Sequence, residues 1–408
     1  MPVLEMSPLE GLGMITATEA FIATAVFLSL FIMIKSFWNQ IPKGLKKIPG
    51  PVGYPLIGNI LEMGKNPHLS LTKMSQKYGD VMMIHIGTTP VLVLSGLETI
   101  RQALVKQGTE FVGRPDLYSF RFIVNGQSLA FGHDSGEVWR VRRKMAQNAL
   151  KSFAASPSPI SSSTYLIEEY VSQEADYLIK KLQEVTLEKK SLDPFRYIVV
   201  SVANVMCGMC FGKRYSHDSK EFLKIVNESE KFVEGAASGN LVDFIPLLQY
   251  LPINKTKIFI EFNKIFDAFL LRHVKEHYES FSKDNIRDIT DSFIEQSQGK
   301  VHISSESIVN LVNDLFGAER FLTADGKDID KEESEKVLTF GMGKRRCIGE
   351  QIARWEVSLF LTTLLQELEF SVLEGVEVDM APIYSLSMKH KRCPHFQVKQ
   401  RSLKSTGQ

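Results

Sequence analysis

Cys347 lies in the run Phe340-Gly341-Met342-Gly343-Lys344-Arg345-Arg346-Cys347-Ile348-Gly349, which has the pattern F-x-x-G-x-R-x-C-x-G. A thiolate there is a metal ligand that donates strongly to its ion. Flanking glycines let the backbone approach a flat partner closely and leave amides free to point at the sulfur. The same run is also a Gly-rich turn ahead of a helix with a buried cysteine. The number of fixed positions in so short a run favours the ligand reading.

A second group is basic. Trp139, Arg140, Arg142, Arg143 and Lys144 fall within one helical stretch, and Trp139 and Arg143, four apart, share a face. An indole N–H beside a guanidinium suits a carboxylate. A charged helix face is otherwise usually just solvated. Arg345, two residues before the cysteine, is a second candidate for such a carboxylate. Cys207 and Cys210 have C-x-x-C spacing but follow the apolar stretch 197–206. Zinc would need two further ligands, so buried core cysteines are expected there.

The elements that must position these groups are mostly helical. Helical periodicity covers 97–107, 138–152, 165–187, 192–211, 218–236, 257–281, 304–317 and 349–367. Two apolar runs, 80–87 and 90–95, flank a short Gly-Thr-Thr turn and predict a β-hairpin. Residues 152–163 are rich in Ser and Pro and read as a loop. The result is an α-dominated α+β fold.

With 48 basic and 47 acidic side chains the net charge is +1, so no strong basic excess exists to collect phosphates and no nucleic-acid partner is expected. Four cysteines in 408 residues are too few for a disulfide scaffold. Residues 15–34 are almost wholly apolar, about the length needed to cross a bilayer. Lys35, Lys43, Lys46 and Lys47 follow while Glu5 and Glu10 precede, which orients the bulk of the chain toward the cytosol. The acidic start and the lack of a small-residue cleavage site favour an uncleaved anchor over a signal peptide. The Pro/Gly-rich run Ile48–Gly58 is neither helix nor central strand and reads as a stiff linker. The expected organisation is therefore an N-terminal membrane anchor over 1–40, a hinge over 41–60 and a body over 61–408.

Together these residues resemble a microsomal cytochrome P-450, and more narrowly the aryl-hydrocarbon-inducible first family, subfamily A, of vertebrates. The Cys347 run matches the heme-ligand signature of that superfamily. Further matches are the hinge, Gly113–Phe120, Trp139–Leu150, Asp243–Pro252, Val274–Tyr278, Ile308–Ala318, Glu319–Phe370 and Pro382–His390. The resemblance implies heme b (iron protoporphyrin IX) on the Cys347 thiolate, within a loop shaped by Phe340, Gly343 and Gly349. Trp139, Arg143 and Arg345 would hold its propionates. A cysteine thiolate on heme iron favours O–O cleavage. A flat pocket for planar substrates would be lined by Phe120, Phe232, Phe259, Gly317, Ala318 and Leu386. Glu230 stands where the family usually has an amide. The implied activity is a monooxygenase that inserts one oxygen atom of O2 into planar aromatic or other lipophilic substrates. Electrons would come from NADPH through NADPH–cytochrome P-450 reductase, at the endoplasmic reticulum membrane, with the catalytic domain facing the cytosol and membrane lipid as a further partner.

The match breaks at one place. Ala318 runs straight into Glu319-Arg320-Phe321, two pieces that lie far apart in the family. The resemblance implies a deletion at 318/319 of about a hundred residues, a sizeable part of one domain. It removes most of the central helix with its proton-relaying acid–alcohol pair, and the Glu-x-x-Arg helix that partners the position of Arg320. No catalytic proton-relay residue is expected to remain, since Glu319 has no hydroxyl partner beside it. Each large apolar side chain that loses its burial forfeits about 1.5–3 kcal/mol, against a domain stability of about 5–15 kcal/mol. The shortened form is expected to be inactive or impaired. The alternative is a non-enzymatic, membrane-anchored remnant that binds heme weakly or only competes for the reductase.

Overall fold

The structure, a computed structural model, describes residues 16–38, 47–156, 165–237, 241–251, 253–298, 305–318, 339–384 and 389–401. It divides into two units, Met1–Pro49 and Gly50–Gln408.

The first unit contains one helix, α1 (Ala17–Trp38). Phe21, Ile22, Val26, Phe27, Leu28 and Leu30 on it are exposed. Among the described residues no helix is long and apolar enough to cross a membrane. The transmembrane anchor expected within 1–40 is corrected accordingly. Residues 1–15 and 39–40 of that range lie outside the described residues.

The second unit begins with α2 (Ile60–Met63) and α3 (Pro67–Tyr78), then the hairpin β1 (Val81–Ile86) and β2 (Thr89–Leu94), antiparallel with Met83 opposite Leu92. The Pro/Gly-rich run does not stand clear of this hairpin. Gly58 bridges to Ile86, the Asn59 N–H donates to the His85 carbonyl at 2.6 Å, and the His85 N–H donates to Asn59 Oδ1 at 2.8 Å. At Gly58 φ is +63°, and a Cβ would meet the His85 carbonyl oxygen at 2.2 Å, so glycine is required.

Helix α4 (Leu97–Arg101) passes into a single π turn, Gln102–Lys106. Then come α5 (Glu137–Ala154), α6 (Leu166–Lys189), α7 (Phe195–Phe211), α8 (Lys220–Ala237), α9 (Asn254–Ser280), α10 (Ile289–Ser297), α11 (Ser305–Ala318) and α12 (Glu350–Glu367). Helix α6 buries Ile167, Val171, Ala175, Leu178, Leu182 and Val185 at three- and four-residue spacing, the stripe of a helix with one apolar face. That face packs on α7 and α12, while α9 packs on α8 and α11. Helix α7 is apolar nearly all round and is accordingly central: Val205, Met206, Cys207, Met209 and Cys210 are all at most 2% exposed. Cys207 and Cys210 are thus buried core cysteines. The chain closes with β3 (Leu368–Val372), β4 (Pro382–Ile383), β5 (Lys389–His390) and β6 (Phe396–Gln400), pairing β3 with β6 and β4 with β5, both antiparallel.

Candidate functional site

The loop carrying Cys347 is built by glycines. Gly341 and Gly343 both have φ of +70°, and a short 3-10 turn, Gly343–Arg345, follows. A Cβ on Gly343 would come within 1.9 Å of the Leu104 carbonyl oxygen in the π turn. The close approach that this glycine permits is therefore to the chain itself. Lys344 Nζ fixes the same contact by donating to Thr109 Oγ1 at 2.7 Å.

Cys347 is half-buried. Its N–H donates to the Phe340 carbonyl at 2.9 Å, closing the loop. Gly349 caps α12, so the sulfur lies at that helix's N-terminus. Burial pushes the thiol's pKa up, while the amides of Gly349 and Glu350 and the charge of Arg143 pull it down. Phe340 sits under Arg354, whose Cζ is 5.0 Å from the ring centroid. The thiolate end of this loop, with amides directed at sulfur, fits an iron ligand.

The carboxylate end does not fit as it stands. Trp139, Arg143 and Arg345 are brought together, with the Arg345 guanidinium stacked 4.1 Å from the Trp139 ring and that of Arg143 5.5 Å from it. Their donors, however, already serve backbone carbonyls. Trp139 Nε1 donates to Leu129 O at 3.1 Å. Arg345 donates to Val112 O at 2.9 Å, Leu129 O at 2.6 Å, Asp134 O at 2.8 Å and, weakly, Gly132 O at 3.4 Å. Arg143 donates to Arg346 O. These bonds staple the segment 112–134 over the Cys347 loop.

The aromatic residues expected to line a planar pocket divide. Phe120 packs on Phe131, ring centroids 5.2 Å apart, and lines a cavity of about 630 Å3 with Trp139 and Arg142. Phe232 and Phe259 are each 6% exposed and pack on each other at 4.7 Å as part of the core. Neither is among the residues lining that cavity. Gly317 and Ala318 end α11. Leu386, Glu319 and Arg320 lie outside the described residues. Glu230 is ion-paired with Arg392, which also reaches Asp193 at 3.5 Å.

Sequence reasoning missed the polar face of α11. Asn310, Asn313 and Asp314 recur at three- and four-residue spacing in an otherwise apolar helix, which was the available signal. Asp314 accepts from Ser128 Oγ at 2.5 Å and the Leu129 N–H at 2.7 Å, and burial pushes its pKa up to about 6. His277, Asp288 and Asp291 form a buried cluster of metal-ligand type. Its groups are already bonded: His277 Nε2 to Asp288 at 2.6 Å, the Asp291 N–H to Asp288 at 3.0 Å and, from outside the cluster, Arg287 Nε to Asp291 at 2.6 Å.

The chain matches the family model described as Cytochrome P450 in two segments, residues 48–318 and 316–395. It is 45% identical to cytochrome P450 1A5 of Gallus gallus over 514 aligned residues, covering 97% of each chain. It is 45% identical to cytochrome P450 1A1 of Felis catus, covering 95% of this chain and 98% of the relative. Against cytochrome P450 1A1 of Homo sapiens it is 44% identical, with 95% and 99% covered.

Proposed function

Because the chain belongs to the cytochrome P450 family, we propose that it is a heme-thiolate monooxygenase by descent, in a shortened form with impaired or no turnover. The observation that carries the heme-thiolate reading is Cys347 at the start of α12, with the Gly349 and Glu350 amides directed at its sulfur. Heme held there would supply activation of O2 for insertion of one oxygen atom into a substrate. By family likeness the substrates are planar, lipophilic aromatics, and the electrons come from NADPH through the reductase. The exposed apolar side chains of α1 support membrane association. We place the chain at the endoplasmic reticulum membrane with its body in the cytosol.

Two observations support a deletion at 318/319. The two matched segments meet at residues 316–318, where α11 ends. The alignment to the Gallus gallus relative runs to 514 positions, more than the 408 residues of this chain. Over a hundred aligned positions therefore have no counterpart here.

A second reading, a non-enzymatic remnant that holds heme weakly or only competes for the reductase, is favoured by the donors of Trp139, Arg143 and Arg345. All three serve carbonyls. A reduced, carbon-monoxide difference spectrum of the full chain expressed in membranes separates the readings. A Soret band of thiolate-ligated heme supports a surviving site. Its absence, with the chain present and folded, leaves the remnant.

A further inference from the structure

Arg142, on α5, is 7% exposed. Its Nη1 donates to the Gln127 carbonyl at 2.7 Å, but Nε and Nη2, buried as well, have no hydrogen-bond partner. These two groups share one edge of the guanidinium and form the parallel fork that pairs with both oxygens of a carboxylate. Arg142 also lines the cavity of about 630 Å3. A buried cation with an unmatched fork is unfavourable unless an anion meets it. Asp314, whose charge acts on Arg142, does not do so, because its oxygens accept from Ser128 Oγ and the Leu129 N–H instead.

We propose that the cavity beside Arg142 is a binding site for a small planar monocarboxylate, whose carboxylate meets Arg142 Nε and Nη2 and whose apolar body lies among Phe120, Val138 and Trp139. Those three side chains supply the hydrophobic wall. Asp116 and Asp134, on the same wall, disfavour a doubly charged ligand such as phosphate. The site is separate from the Trp139, Arg143 and Arg345 donors and does not depend on the heme reading. A carboxylate can come from a free aromatic acid or from a propionate of heme, and the small monocarboxylate proposed for Arg142 is the free acid.

The test is equilibrium dialysis of labelled benzoate against the full-length chain in detergent, free of heme. Saturable binding near one per chain is expected, with benzamide and inorganic phosphate each about ten-fold weaker or more, since neither supplies a single charge on a planar fork. Arg142→Lys keeps the charge and removes the fork, and should weaken benzoate about ten-fold or more. Arg140→Lys, at an exposed neighbour on the same helix, should leave it unchanged. Absence of saturable benzoate binding, or equal affinity in Arg142→Lys, overturns the proposal. Heme titration of the same proteins identifies the source. If benzoate competes with heme and Arg142→Lys weakens heme retention, the fork serves a heme propionate and the proposal is overturned. If heme binding is unmoved while benzoate binding falls, the carboxylate is a free acid.

Discussion

Arg345 decides whether the Cys347 loop is a closed structural element or a site open to an anionic ligand. Its bonds to Leu129, Asp134 and Val112 measure 2.6, 2.8 and 2.9 Å, and the fourth, to Gly132 at 3.4 Å, is marginal. Hydrogen bonds from a charged donor contribute about 1.5–3 kcal/mol each, so three give roughly 4.5–9 kcal/mol gross. Burial opposes this. It holds the guanidinium down to about 10, with Arg114 and Arg143 adding repulsion. That depression corresponds to about 3 kcal/mol against the charged form. Stacking on Trp139 returns about 1 kcal/mol. The balance predicts that Arg345→Ala destabilises the heme-free chain by about 2.5–7 kcal/mol.

Urea unfolding of the full chain in detergent, followed by tryptophan fluorescence, measures it. Arg345→Lys should recover no more than about half, because one ammonium cannot reach carbonyls on several sides of a planar fork. A loss below about 1 kcal/mol in the alanine variant would refute the reasoning. So would a lysine variant as stable as wild type, since either result means that the carbonyl staple is not what holds the loop.

Gly343→Ala should open the same loop from the other side, since a Cβ would sit 1.9 Å from Leu104 O at a φ of +70°. A loss of about 2 kcal/mol or more is expected, and a variant unfolding at the wild-type urea midpoint would contradict the contact. Burial drives His217 and His273 down to about 4, with Arg214 and Lys213 respectively assisting. Each titrates near 6.5 when unfolded, so the stability tied to the neutral form is present above that pH. It is lost as pH falls toward 4, by up to about 3 kcal/mol apiece. Asp314, pushed up to about 6, acts with the opposite sign. The measurement is therefore the difference in urea stability between wild type and His217→Gln at pH 7 and pH 5. It should shift in the variant's favour at pH 5, and no shift would remove the argument. Deleting residues 1–38 should abolish co-sedimentation with anionic vesicles, as expected if α1 supplies the membrane contact, and full retention would place that contact elsewhere.

What was legible in the sequence follows the physics of each element. Helices α5, α6 and α12 bury one stripe, so their periodicity fixed their positions to within two residues. The hairpin at 81–94 is local and was readable for the same reason. Helix α3 buries none of its residues fully and so left no period to read. In α10 Thr290 and Asp291 are buried beside Ile289, which blurs the pattern, although Asp288 accepting from the Asp291 N–H is an N-cap of readable type. The pairing of β3 with β6 joins strands more than twenty residues apart, and no local signal specifies it.

The site was legible in residue type but not in partner. A glycine at 343 and an arginine at 345 announce close approach and a held anion or acceptor, yet nothing local says which atoms approach. In the fold the answer is Leu104 O for the glycine and the carbonyls of 112–134 for the arginine, from segments more than two hundred residues away. The same donors cannot serve those carbonyls and a ligand carboxylate at once. Carboxylate binding at Arg345 or Trp139 must therefore release the 112–134 segment, and its affinity is reduced by whatever that release costs. Arg142, whose fork is free, pays no such toll. If a carboxylate binds this chain, the first contact should form at Arg142, and the staple around Arg345 should open only for a ligand that binds tightly enough to replace it.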